Sequence, residues 1–180
     1  GRGEHNARLG EEVVRNSGIE FTLVRAAWFA QNFSEGYLRD PVVSGVMAMP
    51  GGDVREPIVD VDDIADVAVA ALTEEGHSGK LYEVTGPRLM KFAEMADELG
   101  RATGRPIRYV PITFEAFHAG MAKIGGDFIA DIITDSARET LDGRNAHLCN
   151  GVRQALGRAP RDFADYARSA AAAGAWSDAA

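Results

Sequence analysis

The sequence predicts an α/β fold built on a mainly parallel sheet, and three observations lead there. Apolar runs rich in β-branched and aromatic residues alternate with helical patterns of about 10 to 15 residues, the mark of strand-helix-strand units. The stretch Ile19 to Ala27 (IEFTLVRAA) is almost unbroken apolar, as a strand covered on both faces would be, and such strands belong to parallel sheets. Hydrophobic residues make up 46% of the chain and charged residues 26%, enough to build a core and far from the composition of a disordered chain.

The elements follow in order. Glu4 to Asn16 places Ala7, Leu9, Val13 and Val14 at helical spacing, and Ser17-Gly18 supplies the stop. That pattern is already running within four residues of Gly1, with no strand before it, so the chain reads as beginning in mid-fold. After the strand 19–27, Trp28 to Leu38 carries aromatics at 28, 29, 33 and 37, a roughly helical spacing ending before Pro41. Two short apolar runs, Val46 to Met49 and Pro57 to Val61, are separated by the turn residues Pro50-Gly51-Gly52. A helix is expected over Ile64 to Thr73, with Asp60 and Asp63 as structural groups serving its N-terminus. Lys80 to Thr85 alternates as a strand, Gly86-Pro87 opens a helix over Met90 to Ala102, and Ile107 to Ile112 is another strand. Thr113 to Asp142 reads as helix broken at Gly125-Gly126, and Phe163 to Ala173 as a last helix. The back third is poor in strands. A division near Gly76 therefore separates a sheet portion, 1–76, from a smaller, mostly helical α/β lobe, 77–180.

Charge narrows the function. Nineteen basic against 27 acidic side chains give a net charge of −8, and the arginines are scattered among acids, which excludes direct, non-specific nucleic-acid binding. The apolar runs are far shorter than the roughly 20 residues of a membrane helix, and no membrane association is expected. A single cysteine, Cys149, builds no internal disulfide framework and fits the cytoplasm.

The candidate chemistry is sparse. No glycine-rich strand-to-helix turn of the kind that cradles phosphates is present; Gly1-Arg2-Gly3 has two glycines at the right interval but Asn6 at the third place. His5, His77, His118 and His147 lack a second ligand at metal-binding spacing, so no metal is expected. Cys149 reads as a partly buried, inert thiol. Tyr37, Tyr82, Tyr109 and Tyr166 are followed four residues on by Pro41, Gly86, Thr113 and Ala170, so the Tyr-x-x-x-Lys acid dyad is missing, and the catalytic residues stay unknown. The segment Arg25 to Phe33 (RAAWFAQNF) stands apart. It starts at the C-terminal end of a strand, the edge of an α/β sheet where ligands bind, and joins flat aromatic surface to an amide that can read a carboxamide. A core aromatic cluster with Asn32 as a turn residue is the other reading of the same residues.

Four runs carry a resemblance: 17–33 (SGIEFTLVRAAWFAQNF), 57–87 (PIVDVDDIADVAVAALTEEGHSGKLYEVTGP), 103–112 (TGRPIRYVPI) and 155–176 (ALGRAPRDFADYARSAAAAGAW). In order, and over nearly the whole chain, they resemble the C-terminal part of NmrA-like proteins, atypical short-chain dehydrogenase/reductases that bind NAD(P)H. Arg25-Ala26 stands where the family often has Arg-Pro, and the lysine used by some reductase branches has no counterpart between His5 and Arg8. The resemblance implies the C-terminal portion of a Rossmann-like parallel sheet plus a smaller α/β substrate lobe, with NADP or NAD as cofactor. It puts Ala27, Trp28, Phe29 and Asn32 in the wall beside the nicotinamide. The activity it implies is an NAD(P)H-dependent oxidoreductase acting on a quinone-like or other small acceptor, without the half that binds the dinucleotide phosphates. A non-catalytic NAD(P)-sensing regulator and an inactive fragment are the alternatives. Strand 21–26, short of the neighbours that would flank it, implies a homo-oligomer or a complementing chain.

Overall fold

The computed structural model describes residues 5–177 of the 180. Gly1-Arg2-Gly3 and the helix start expected at Glu4 lie outside the described residues. Among the described residues fourteen elements follow one another. Helix α1 (His5–Arg15) leads through Gly18 into strand β1 (Thr22–Ala26) and a 3-10 turn (Ala30–Phe33). Helix α2 (Arg39–Ser44), strands β2 (Val46–Met49) and β3 (Arg55–Glu56) and helix α3 (Val61–Thr73) come next. Strands β4 (Lys80–Val84) and β5 (Met90–Lys91), helix α4 (Phe92–Thr103) and strand β6 (Arg108–Pro111) precede the helices α5 (Phe114–Thr140), α6 (Gly151–Leu156) and α7 (Phe163–Ala172).

The strands form three two-stranded sheets: β1 with β4 and β2 with β6 are parallel, and β3 with β5 is antiparallel. The α/β class and the parallel pairing hold, spread over small sheets. Strand β1 is shorter than the apolar run, and its residues 22–25 are only half-buried. The expectation of cover on both faces is not met, and among the described residues β4 is the one strand paired with it.

The aromatic run 28–38 is not one helix. Its backbone is pinned at Phe29 by a parallel bridge to Val59, turns once through residues 30–33, and becomes helical again only at Arg39. Pro41 sits inside the first turn of α2 rather than beyond a helix, where its missing N–H leaves no bond unmade. The run 57–61 is likewise no strand of its own; its Val59 forms the bridge. Helix α4 starts at Phe92, two residues late, because Met90–Lys91 pair with β3.

Two apolar clusters hold the molecule together. The larger joins Phe33, Leu38, Met47 and Met49 to Phe92, Met95 and Leu99 of α4 and to Phe163 and Tyr166 of α7. The smaller joins Val59 and Val67 to Tyr82, Val84 and Val152. Both draw residues from either side of Gly76. Two glycines permit the tightest crossings: a Cβ on Gly86 would lie 2.0 Å from the Ile58 carbonyl oxygen, and one on Gly151 would lie 2.3 Å from that of Glu83. Helix α5 carries the expected break at Gly126, where φ is 78°. Among the described residues no helix is long and apolar enough to cross a membrane.

A candidate cleft at the strand ends

The parallel pair β1 and β4 runs in the register Arg25↔Glu83 and Ala26↔Val84, and the Ala27 N–H extends the ladder to the Val84 carbonyl at 3.0 Å. Beyond their C-terminal ends opens a cleft of about 970 Å³, the place where an open α/β sheet takes its ligand. Ala27, Trp28, Phe29 and Asn32 all line it, so the structure brings the four residues together on one wall.

The backbone holds that wall rigidly. The Val59 N–H donates to the Trp28 carbonyl and the Ala30 N–H to the Val59 carbonyl, each at 2.8 Å. The aromatic run then divides by side. Ala30 and Phe33 turn into the core, and Trp28 packs edge-on against Phe92 with ring centroids 5.3 Å apart. Phe29 stays 43% exposed, and Asn32 is half-buried on the cleft side. Gln31, the neighbouring amide, serves structure: its Nε2 donates to Asp60 at 2.8 Å and its Oε1 accepts from the Val61 N–H at 2.9 Å.

Residues without a signal in the sequence complete the cleft. Ile132, Ile133 and Ala137 of α5 form an apolar wall, and Tyr37 faces the same space. Burial lifts the Tyr37 phenol well above its ordinary range, and its ring meets Phe117 of α5 edge-on at 6.2 Å. A charged knot lies at the rim. Arg25 grips Glu11 in a bidentate pair at 2.7 and 2.6 Å and reaches Glu83 at 3.1 Å. The hydrogen bond from Arg25 holds the Glu11 carboxyl below its usual range. Cys149 is half-buried, its Sγ 3.7 Å from Glu83, and its backbone N–H donates to Thr85 Oγ1 at 3.0 Å.

The two aspartates read as helix groups have different roles. Asp60 caps α3, accepting the Asp62 N–H at 3.0 Å. Asp63 is no cap. It is fully buried and accepts Arg158 at 2.7 Å and Arg161 at 2.6 Å from the loop before α7, while Asp66 takes the same two arginines at 2.6 and 3.1 Å. The spacing signals it: Asp63 and Asp66 sit one helical turn apart, and Arg158 and Arg161 repeat that interval. Among the described residues no group of three or more His, Cys, Asp or Glu side chains is placed to hold a metal ion.

No family model matches the chain, but individual proteins do. It is 37% identical over 168 residues to an NAD(P)H azoreductase of Xenophilus azovorans, covering 92% of this chain and 58% of that protein. It is 29% identical over 127 residues to quinone oxidoreductase 2 of Escherichia coli, covering 70% of this chain and 44% of the relative. A crystal structure of an NADPH-dependent quinone oxidoreductase of Escherichia coli, complexed with NADPH, superposes with a TM-score of 0.78 at 25% identity, over 88% of this chain and 56% of the other. The chain thus spans about half the length of the relatives it matches. The fold it shares with them is that of the Rossmann-like NAD(P)-binding reductases. These similarities agree with the resemblance to the NmrA-like, atypical short-chain dehydrogenase/reductase proteins.

Proposed function

We propose that this chain forms the nicotinamide-facing and acceptor-binding portion of an NAD(P)H-dependent oxidoreductase that reduces a quinone-like or other small acceptor. The observation that carries the reading is the cleft at the C-terminal ends of β1 and β4, with Ala27, Trp28, Phe29 and Asn32 on one wall. The residues suit the nicotinamide end of the cofactor: Phe29 offers an exposed aromatic face and Asn32 an amide for the carboxamide. When bound, the cofactor supplies a hydride, and the wall's work is to hold a flat ring in place and exclude water.

The names of the relatives support NADP or NAD as cofactor and an azo or quinone compound as acceptor. In this reading residues 1–76 belong to the dinucleotide side and residues 77–180 to the acceptor side, and the protein works in the cytoplasm, where reduced dinucleotide is available. A glycine-rich segment that binds the phosphates, covalently joined or on a complementing chain, pairs along the free edge of β1. A non-catalytic, dinucleotide-sensing protein is the second reading, favoured by the missing Tyr-x-x-x-Lys dyad.

The test joins this chain to the part of its azoreductase relative that it does not cover and follows NADPH oxidation with a naphthoquinone. Turnover is expected from the joined protein, and weak or no NADPH binding from the chain alone. A micromolar dissociation constant for NADPH on the chain alone overturns the division, and tight binding without turnover by the joined protein favours the sensor.

A further inference from the structure

Among the polar groups that line the cleft, most are already engaged. Thr140 Oγ1 donates to the Ser136 carbonyl at 2.8 Å, Thr85 exchanges hydrogen bonds with the Cys149 backbone, and Arg25 is held by Glu11 and Glu83. Ser136 is exposed and solvated. Tyr37 differs from all of these. Its phenol is largely withdrawn from water, yet among the described residues nothing hydrogen-bonds to its hydroxyl, which is not sealed in the core either. A half-buried donor without a partner, on a side chain that lines a cavity, is available to a ligand there.

The position of the ring says which partner. Its edge rests on Phe117 of α5, the helix whose Ile132, Ile133 and Ala137 line the same cleft. Tyr37 therefore belongs to the apolar wall built by α5 and not to the strand-end wall of Trp28, Phe29 and Asn32. We infer that Tyr37 is the hydrogen-bond donor to the acceptor, and that the acceptor is a flat apolar ring system bearing an oxygen or nitrogen within reach of this hydroxyl. The inference rests on the function proposed above and names the group that recognises its substrate.

The chemistry balances without loss of the phenol proton. A quinone accepts a hydride, two electrons with one proton, from the reduced nicotinamide, which is left oxidised, and takes a second proton from water to become the hydroquinone. Negative charge gathers on the acceptor oxygen as the hydride arrives, and a fixed donor steadies it there. Burial keeps Tyr37 protonated, so the donor is present throughout the working pH range.

The test titrates this chain by calorimetry with two ligands of one shape: menadione, which carries carbonyl oxygens, and 2-methylnaphthalene, which has none. Tyr37→Phe keeps the ring on Phe117, and an unchanged thermal midpoint verifies the fold. The variant is expected to bind menadione about fivefold to tenfold more weakly while its affinity for 2-methylnaphthalene is unchanged. If the parent binds both ligands and the variant weakens both alike or neither, the role of Tyr37 is overturned and the proposed function stands. If the parent binds neither, the acceptor reading of the cleft fails and the inference falls with it.

Discussion

Phe92 follows strand β5 and Phe29 follows strand β1, and they meet opposite fates. Phe92 is fully buried, touched by Trp28 and stacked near Tyr109, and leaves so little room that a Cβ on Gly51 would come within 2.3 Å of its ring. Phe29 lies 43% open on the cleft. The region around Phe92 is closed by its own helices, α4 against α7, and gains its stability from dense packing. The region around Phe29 rests on five buried residues behind a half-buried strand. Stability and ligand access are thus placed in different parts of one small chain, and the cleft is held in shape by backbone bonds to Val59 rather than by bulk.

The sharpest way to break this contrast is to truncate one apolar side chain to alanine on each side. Phe92→Ala should lose about 3–5 kcal/mol of unfolding free energy, whereas Val24→Ala in β1 should lose about 1 kcal/mol or less. Urea titration of the two variants checks it, and equal losses would mean that β1 is as much a core element as α4.

The clamp between the regions is expected to come next. Asp63→Ala leaves Arg158 and Arg161 facing a buried void and should cost about 2–4 kcal/mol, the partial exposure of both arginines keeping the figure below that of a fully buried pair. The cap variant Asp60→Ala should cost about 0.5–2 kcal/mol. The reverse order in thermal melts would return Asp63 to the role of helix cap.

An effect that only a change of pH reveals marks the boundary itself. Glu56 is buried one residue before Pro57, which lines the cleft, and its Oε1 has no partner among the described residues. Burial, reinforced by the charge of Asp142, pushes its carboxyl up to about 7 from an ordinary value of 4.5. The folded chain therefore holds a proton that the unfolded chain has released, and stability falls as pH climbs from 4.5 through 7. Glu56→Gln stays neutral, so it should exceed the parent by about 1–3 kcal/mol at pH 8 and lose that advantage near pH 4. Denaturant titrations at both pH values read the difference; a gap that does not change with pH would show that water reaches Glu56.

Much of the fold was legible because its signals are local. The alternation in Lys80 to Thr85, the cap at Asp60 and the Gly125-Gly126 break each act within a few residues and fall where the sequence puts them, although α3 starts at Val61, three residues before the expected Ile64. Strands β3 and β5 escaped because two residues carry no period, α2 because Pro41 reads as a stop when it also opens a first turn, and α6 because six residues give fewer than two turns. The aromatic side of the cleft was visible in 25–33, since a strand end followed by aromatics is a contiguous pattern. Tyr37 was singled out as the last aromatic of the run 28–38 and as a tyrosine without a lysine, and Ile132 and Ile133 only as helix residues. Their role arises from a meeting of segments about a hundred residues apart, which no local pattern records.

The pairing of β1 with β4 has a temporal side. Arg25 and Glu83, directly opposite one another in the parallel ladder, stand 58 residues apart in the chain. At roughly 5–20 residues per second, the ribosome completes β4 roughly 3–12 s after β1. For that interval β1 lacks the one described strand that pairs with it. A nascent chain of this protein therefore exposes the β4-facing edge of β1 for seconds, an edge that a factor at the ribosomal exit can cover.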